Sequence, residues 1–267
     1  MRTLDRAERE PQADRILMEE SKRSFNLELG PLLRVNLLCI EDNMHILLIN
    51  VHHIIADTWS VVILFNEMAF IYKSMLQGSN IKLPELPIQY PDYAYWQKKQ
   101  LAGAELERQM AFWRERIEGA PTVISLPTDK KRPAVDSFHG GIEFFSLTSC
   151  LAQKMKELCL KEGITLYMLI MSAFQIILFR YSGQDDILVG TPIANRTRFE
   201  TEGLIGFFSN TLVLRGNLSG NPTFREFAKR IKEATLEAFE HQEMPFEKLV
   251  DELQIERDMS RNPLFQV

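Results

Sequence analysis

The sequence predicts an α/β fold, an α+β sandwich in which helices cover sheets, and three observations predict it. Apolar runs of period two alternate along the chain with runs of period 3.6. Breaks rich in Pro and Gly separate those runs. A composition of 45% hydrophobic and 25% charged residues over 267 positions suits one large or two ordinary globular domains.

Taken in order, a charged helix is expected from about Asp14 to Phe25. "LELGPLLRVNLLCIEDNMHILLINVHHI" then reads as two strands joined by a turn at Glu41-Asp42-Asn43. The second strand, Met44 to His53, is apolar on both faces, the pattern of a central strand covered by helices, and alternation would turn His52 and His53 to opposite faces. "DTWSVVILFNEMAFIYKSMLQG" is helical, with Asp57 or Thr58 placed to cap its start and Gly78 to end it. A connector, "IKLPELPIQYPDYAYW", precedes an amphipathic helix over "QKKQLAGAELERQMAFWRERIEG". The Pro-rich break that follows places the boundary between an N-terminal lobe, 1–122, and a C-terminal lobe, 123–267.

In the second half, "GIEFFSL" reads as a strand, Leu151 to Glu162 as a helix, and "TLYMLIMSAFQIILFRYSG" as a buried helix. "DILVGTPIA" reads as a strand, and "GLIGFFSNTLVLRGNL" as a loop leading into another. Thr223 with Glu226 forms a capping box before "FREFAKRIKEATLEAFEHQ", and Pro245 suits the start of "PFEKLVDEL". "PLFQV" opens a last strand.

The formal net charge of −5 and pI near 5.7 supply no basic field, so neither a nucleic acid nor a membrane surface is an expected partner. Three scattered cysteines, Cys39, Cys150 and Cys159, give neither a disulfide framework nor a zinc knuckle and suit a reducing compartment. The N-terminus lacks the apolar core of a signal peptide, and the most apolar run is too short to span a bilayer, so the expected location is cytoplasmic.

The stretch most suggestive of chemistry is "VHHIIADTWS", Val51 to Ser60. A metal is not expected there, because the five histidines lack the helical spacing of common zinc enzymes. Read alone, an adjacent pair at a strand end is a buried, hydrogen-bonded histidine beside a solvent-facing one, and an aspartate before an apolar helix is an N-cap.

What changes that reading is company. The string resembles the His-His-x-x-x-Asp-Gly signature of nonribosomal peptide synthetase condensation domains. "FNLELGPLLRV", "YPDYAYW", "GTPIANR", "IGFFSNTLVLR", "HQEMPFEKLV" and "RDMSRNPLFQV" resemble further motifs of that family, in the same order and over nearly the whole chain. The resemblance implies a chloramphenicol-acetyltransferase-like fold of two α/β lobes, both incomplete here, with the histidine motif at a tunnel between them. It implies amide-bond formation between aminoacyl or peptidyl thioesters on phosphopantetheine arms of donor and acceptor peptidyl carrier proteins, with no tightly bound cofactor and an adjacent adenylation domain in a parent synthetase.

By the same resemblance His53 is the catalytic residue, as proton acceptor or as stabiliser of the tetrahedral intermediate. His52, Asp57 and Thr58 are structural members of the motif, and Trp59, Tyr93, Gly206 and Asn210 contribute to the tunnel or to lobe packing. Asp57 in such domains pairs with an arginine of an earlier Arg-His-Glu-x-Leu-Arg motif that has no counterpart here, so the expectation is a carboxylate without its arginine. Thr58 stands where the family usually has glycine, a substitution that suits a first helical residue. Missing sheet-edge strands would leave apolar surface bare. The rival readings are a catalytically inactive remnant, a carrier-docking fragment, or a related coenzyme A-dependent acyltransferase.

Overall fold

A computed structural model describes residues 5–137, 139–255 and 258–267. Arg257, the first residue of "RDMSRNPLFQV", lies outside the described residues. In chain order the elements are α1 (Arg6–Lys22), β1 (Leu33–Glu41), β2 (Met44–Val51), a 3₁₀ turn (His53–Ile55), α2 (Thr58–Leu76), α3 (Tyr90–Gln100) and α4 (Gly103–Ile117). Then come α5 (Ser149–Glu162), α6 (Leu166–Ser182), β3 (Asp186–Ile193), α7 (Phe199–Glu202), β4 (Asn210–Asn217), α8 (Phe224–Glu240) and α9 (Phe246–Glu252).

Packing divides the chain into two compact units that interleave in sequence. The first holds 1–94 and 196–208, the second 95–195 and 209–267. A single cut near residue 122 does not separate them, because α4 belongs with the second unit while the loop around α7 belongs with the first. Backbone continuity hides such an exchange from any linear reading.

In the first unit β1 and β2 form an antiparallel pair, with Leu33 opposite Val51 and Leu37 opposite Leu47. Helix α1 lies against the face that carries Arg34 and Asn50: the Asn50 amide donates to the Glu20 carbonyl at 2.9 Å, and Arg9 Nη1 to the Ile40 carbonyl at 3.1 Å. The opposite face, with Leu33, Val35, Leu37 and Leu47, is exposed. The covered central strand expected from Met44 to His53 is therefore a strand of a two-membered sheet, bare on one side among the described residues, and it ends at Val51. Helix α2 is apolar nearly all round, the pattern of a buried helix, yet its buried residues are Ser60 and Ser74, while Val62, Phe65, Phe70 and Tyr72 are exposed.

The second unit has a continuous core. β3 and β4 pair antiparallel, with Val189 opposite Leu214, and α8 packs on β4. Trp113 and Ile117 of α4, Leu178 of α6, Ile187 and Leu212 of the strands, Phe227 and Ile231 of α8 and Leu264 are buried together. The Thr223–Glu226 capping box forms as the sequence requires. Gly190 leaves room for the Phe265 ring, which would sit 2.2 Å from a Cβ there, and its N–H donates to the Val267 carbonyl at 2.9 Å, so "PLFQV" comes alongside β3.

Three local expectations are corrected. The helix expected across "QKKQLAGAELERQMAFWRERIEG" is broken between Gln100 and Gly103, where Gly103 has φ +56°. The aromatic stretch from Tyr90 is the start of α3, not a connector. "GIEFFSL" is irregular and exposed, with Phe144 at 89% and Phe145 at 85%, because a strand needs a ladder partner and none is supplied among the described residues. Among the described residues no single helix is long and apolar enough to cross a membrane.

Candidate active site

Strand β2 ends one residue before the histidine pair. His52 and His53 therefore do not alternate across a strand; they begin a 3₁₀ turn. The His52 N–H donates to the Leu32 carbonyl at 2.9 Å, continuing the ladder for one more bond. Its Nδ1 accepts the Ile54 N–H at 3.1 Å, which caps the turn, so Nδ1 carries no proton. These two bonds tie His52 to the end of the β1–β2 pair and to the turn that follows.

His53 is exposed, and its Nδ1 lies 2.9 Å from the Ala56 carbonyl. A carbonyl only accepts, so in the neutral ring Nδ1 carries the proton and Nε2 presents a lone pair. The Phe207 ring meets the imidazole edge to face at 5.0 Å between centroids. The ring is thus held by a backbone bond and by an aromatic contact.

Asp57 is the N-cap of α2, accepting the Ser60 N–H at 2.8 Å, and Thr58 is the first helical residue, exposed and free of any need for glycine. The carboxylate is 3% exposed. Its Oδ1 also accepts from Arg196 Nη2 at 3.1 Å and lies 2.7 Å from the Ser60 hydroxyl, and its Oδ2 accepts from the Phe208 N–H at 3.1 Å. The expected orphan aspartate thus has an arginine after all, contributed by "GTPIANR", 139 residues along the chain. Burial pushes the Asp57 carboxyl up, but the Ser60 hydroxyl and N–H, the Phe208 N–H and the Arg196 charge together outweigh it and hold it below the ordinary carboxylate value.

Arg196, with its side chain 2% exposed, ties the 196–208 loop together. Nη1 donates to the Thr201 and Leu204 carbonyls, the latter at 2.9 Å; Nη2 also donates to Ser60 Oγ at 2.9 Å; and the Phe208 ring lies 4.0 Å from the guanidinium carbon. Ser60, fully buried, accepts from Arg196 and from the Gly206 N–H at 3.0 Å. Its single proton goes either to Asp57 or to the Gly206 carbonyl, 2.8 Å away. The Gly206 carbonyl also accepts the Asp57 N–H at 3.2 Å.

Gly206 is required by closeness: a Cβ would lie 2.1 Å from the Tyr90 ring. The Tyr90 hydroxyl donates to the Phe207 carbonyl at 2.8 Å, and Tyr90 and Tyr93 both pack on Phe208. Tyr93 is buried, a packing residue. Trp59 is 46% exposed, and its Nε1 donates to the Glu202 carbonyl at 2.9 Å. Asn210 lies in the second unit, where its amide donates to the Gln242 and Met244 carbonyls and its Oδ1 accepts from Thr211 and Phe246, pinning the "HQEMPFE" turn.

The first unit thus brings His52, His53, Asp57, Thr58, Trp59, Tyr93 and Gly206 into one neighbourhood. Sequence reasoning missed Ser60, Arg196, Phe207 and the Tyr90 hydroxyl. Arg196 did leave a signal, a lone arginine closing a quoted motif. Among the described residues no group of three or more His, Cys, Asp or Glu side chains could hold a metal ion.

An α/β fold of the chloramphenicol-acetyltransferase-like class, carrying a His-His-x-x-x-Asp turn with a fixed imidazole, is the class these observations define. A family model described as Condensation domain matches residues 1–267, and the chain belongs to that family. It is 48% identical to one of the linear gramicidin synthase proteins of Brevibacillus parabrevis over 267 residues, all of this chain and 3% of that protein. The X-domain solved in complex with OxyB from teicoplanin biosynthesis superposes with a TM-score of 0.89 at 29% identity, covering 96% of this chain and 57% of that one. The four-domain nonribosomal peptide synthetase AB3403 shares the fold with a TM-score of 0.83 at 24% identity, covering 96% of this chain and 19% of that one. The chain therefore spans a small part of the curated synthetase and little more than half of the X-domain chain.

Proposed function

We propose that this chain acts as a condensation domain of a nonribosomal peptide synthetase, joining an acyl thioester on a donor carrier to the amine of an aminoacyl thioester on an acceptor carrier. The observation that carries the reading is the tautomer of His53: with Nδ1–H committed to the Ala56 carbonyl, Nε2 accepts a proton and does not donate one in the resting ring. The acceptor nitrogen attacks the donor carbonyl, the C–N bond forms, and the ammonium proton passes to His53 Nε2. The C–S bond then breaks, and the departing thiolate takes that proton. A thioester is already activated, so most of the acceleration comes from holding two tethered substrates in attack geometry.

This role for His53 favours proton acceptance over donation to an oxyanion, since donation would require the other tautomer or a charged ring. Asp57, Ser60 and Arg196 touch no reacting atom; they hold the turn. Phosphopantetheine arms of the carriers bring the substrates, an adenylation domain of the same synthetase loads them, and the reaction takes place in the cytoplasm.

A second reading, a docking scaffold without catalysis, is favoured by the likeness to the X-domain, which was solved bound to OxyB. Turnover with two loaded carriers decides. In the polypeptide that carries this chain, His53→Ala abolishes amide formation while carrier binding persists; unchanged turnover refutes the catalytic role, and carrier binding without turnover in the unsubstituted protein selects the scaffold.

A further inference from the structure

Against the His52 ring lies a stack that the mechanism above leaves unused. Phe25 meets His52 edge to face, with ring centroids 5.7 Å apart and planes at 87°. The Arg34 guanidinium carbon lies 3.9 Å from the centroid of the same Phe25 ring. Arg34 is itself immobilised at the C-terminal end of α1. It donates to the Arg23 carbonyl at 2.7 Å, to the Ser24 carbonyl at 3.3 Å and to the Glu20 carbonyl at 3.4 Å, and its Nε pairs with the Glu20 carboxylate at 3.5 Å. A cation at that end of a helix also complements its dipole. Asn50, directly opposite Arg34 in the β1–β2 ladder, donates to the same Glu20 carbonyl.

The path from this stack to the reacting imidazole is short and made of fixed bonds. Phe25 limits the rotation of the His52 ring; His52 Nδ1 receives the Ile54 N–H; and that bond caps the turn in which His53 sits, whose own Nδ1 closes back on Ala56. We propose that the Arg34–Phe25 pair is a positioning device for the proposed condensation reaction, acting through the ring orientation and tautomer of His52 to set the direction of His53 Nε2. The proposal rests on the catalytic reading of His53. An aromatic ring is needed at position 25 because it makes two different contacts at once, a T-shaped one with the imidazole and one of its face with the guanidinium. An aliphatic residue fills the volume and makes neither.

The test measures turnover with two loaded carriers in Phe25→Leu, Phe25→Tyr, His52→Gln and the double variant Phe25→Leu/His52→Gln, with His53→Ala as the reference for catalysis. Phe25→Leu lowers kcat about tenfold, a part of the hundredfold that one ångström of misplacement costs, with KM unchanged. Phe25→Tyr restores the rate. In the His52→Gln background Phe25→Leu has no further effect on kcat, because the residue it acts through is gone. Long-range 1H–15N spectra of the wild-type chain show His52 with the proton on Nε2, and Phe25→Leu gives a mixture of tautomers. A wild-type rate in Phe25→Leu, multiplicative losses in the double variant, or an unaltered His52 spectrum overturns the proposal. An undiminished rate in His53→Ala instead overturns the reading of the site on which it stands.

Discussion

Replacing Arg196 by methionine removes a cation from one of the most enclosed polar clusters of the first unit. The guanidinium donates to both Asp57 carboxylate oxygens, to Ser60 Oγ and to the Thr201 and Leu204 carbonyls. Removing one partner of a buried ion pair costs about 3–5 kcal/mol, because the remaining charge stays buried. Asp57 keeps donors from Ser60 and Phe208, so the lower end, about 3 kcal/mol, applies. With a urea dependence of about 2 kcal/mol/M for a unit of this size, the unfolding midpoint of the first unit falls by about 1.5 M. Adding Asp57→Asn to Arg196→Met then costs less than Asp57→Asn alone, with a coupling of about 1–3 kcal/mol. Urea titration followed by near-UV circular dichroism measures all four corners of the cycle. A midpoint shift below about 0.3 M for Arg196→Met, or additivity within about 0.5 kcal/mol, would refute the claim that Arg196 neutralises Asp57.

Gly206→Ala drives the new methyl into the Tyr90 ring and destabilises by about 1–3 kcal/mol with loss of the Tyr90–Phe207 hydrogen bond, visible as a thermal shift; a wild-type melting temperature counts against the packing argument. Asp57 has its folded pKa below its unfolded one, so its contribution is complete above about pH 4 and is lost as pH falls through the folded value; the acid limb of a stability–pH curve is shallower in Asp57→Asn, and an identical limb contradicts the assignment. Burial first, and then Arg108, lower the pKa of His241, whose ring stacks on Phe112 at 3.7 Å, so its NMR titration midpoint lies below 6.5. The unfolded chain then takes up that proton first, stability declines as pH drops below 6.5, and a midpoint at or above 6.5 excludes this contribution.

Much of the local structure was legible because its causes are local. Thr223 and Glu226 sit three apart, Gly163 and Gly183 stand where helices stop, and Asp57 precedes an apolar run; each meets its bonding partner within one helical turn. "GIEFFSL" was not legible, because a strand pattern states a capacity for pairing and the partner must come from elsewhere. The break near Gly103 escaped notice because Leu101 and Ala102 continue the helical periodicity, while only the backbone sign at Gly103 reveals the stop. The histidine turn was misread as strand for a related reason: alternation cannot show that the His53 imidazole will bond the Ala56 carbonyl and curl the chain.

By itself the sequence determined the family, through six ordered motifs, and the identity of the paired histidines and their aspartate. It also determined where most helices and strands lie, since periodicity and capping act over a few residues. Only the tertiary structure decided that Arg196 serves Asp57, that Ser60 and Gly206 lock the turn, that Tyr90 leaves no room for a side chain at position 206, and which nitrogen of His53 is free. Those outcomes depend on groups up to 151 residues apart meeting within about 3 Å, and spacing along a chain carries no record of distance through space.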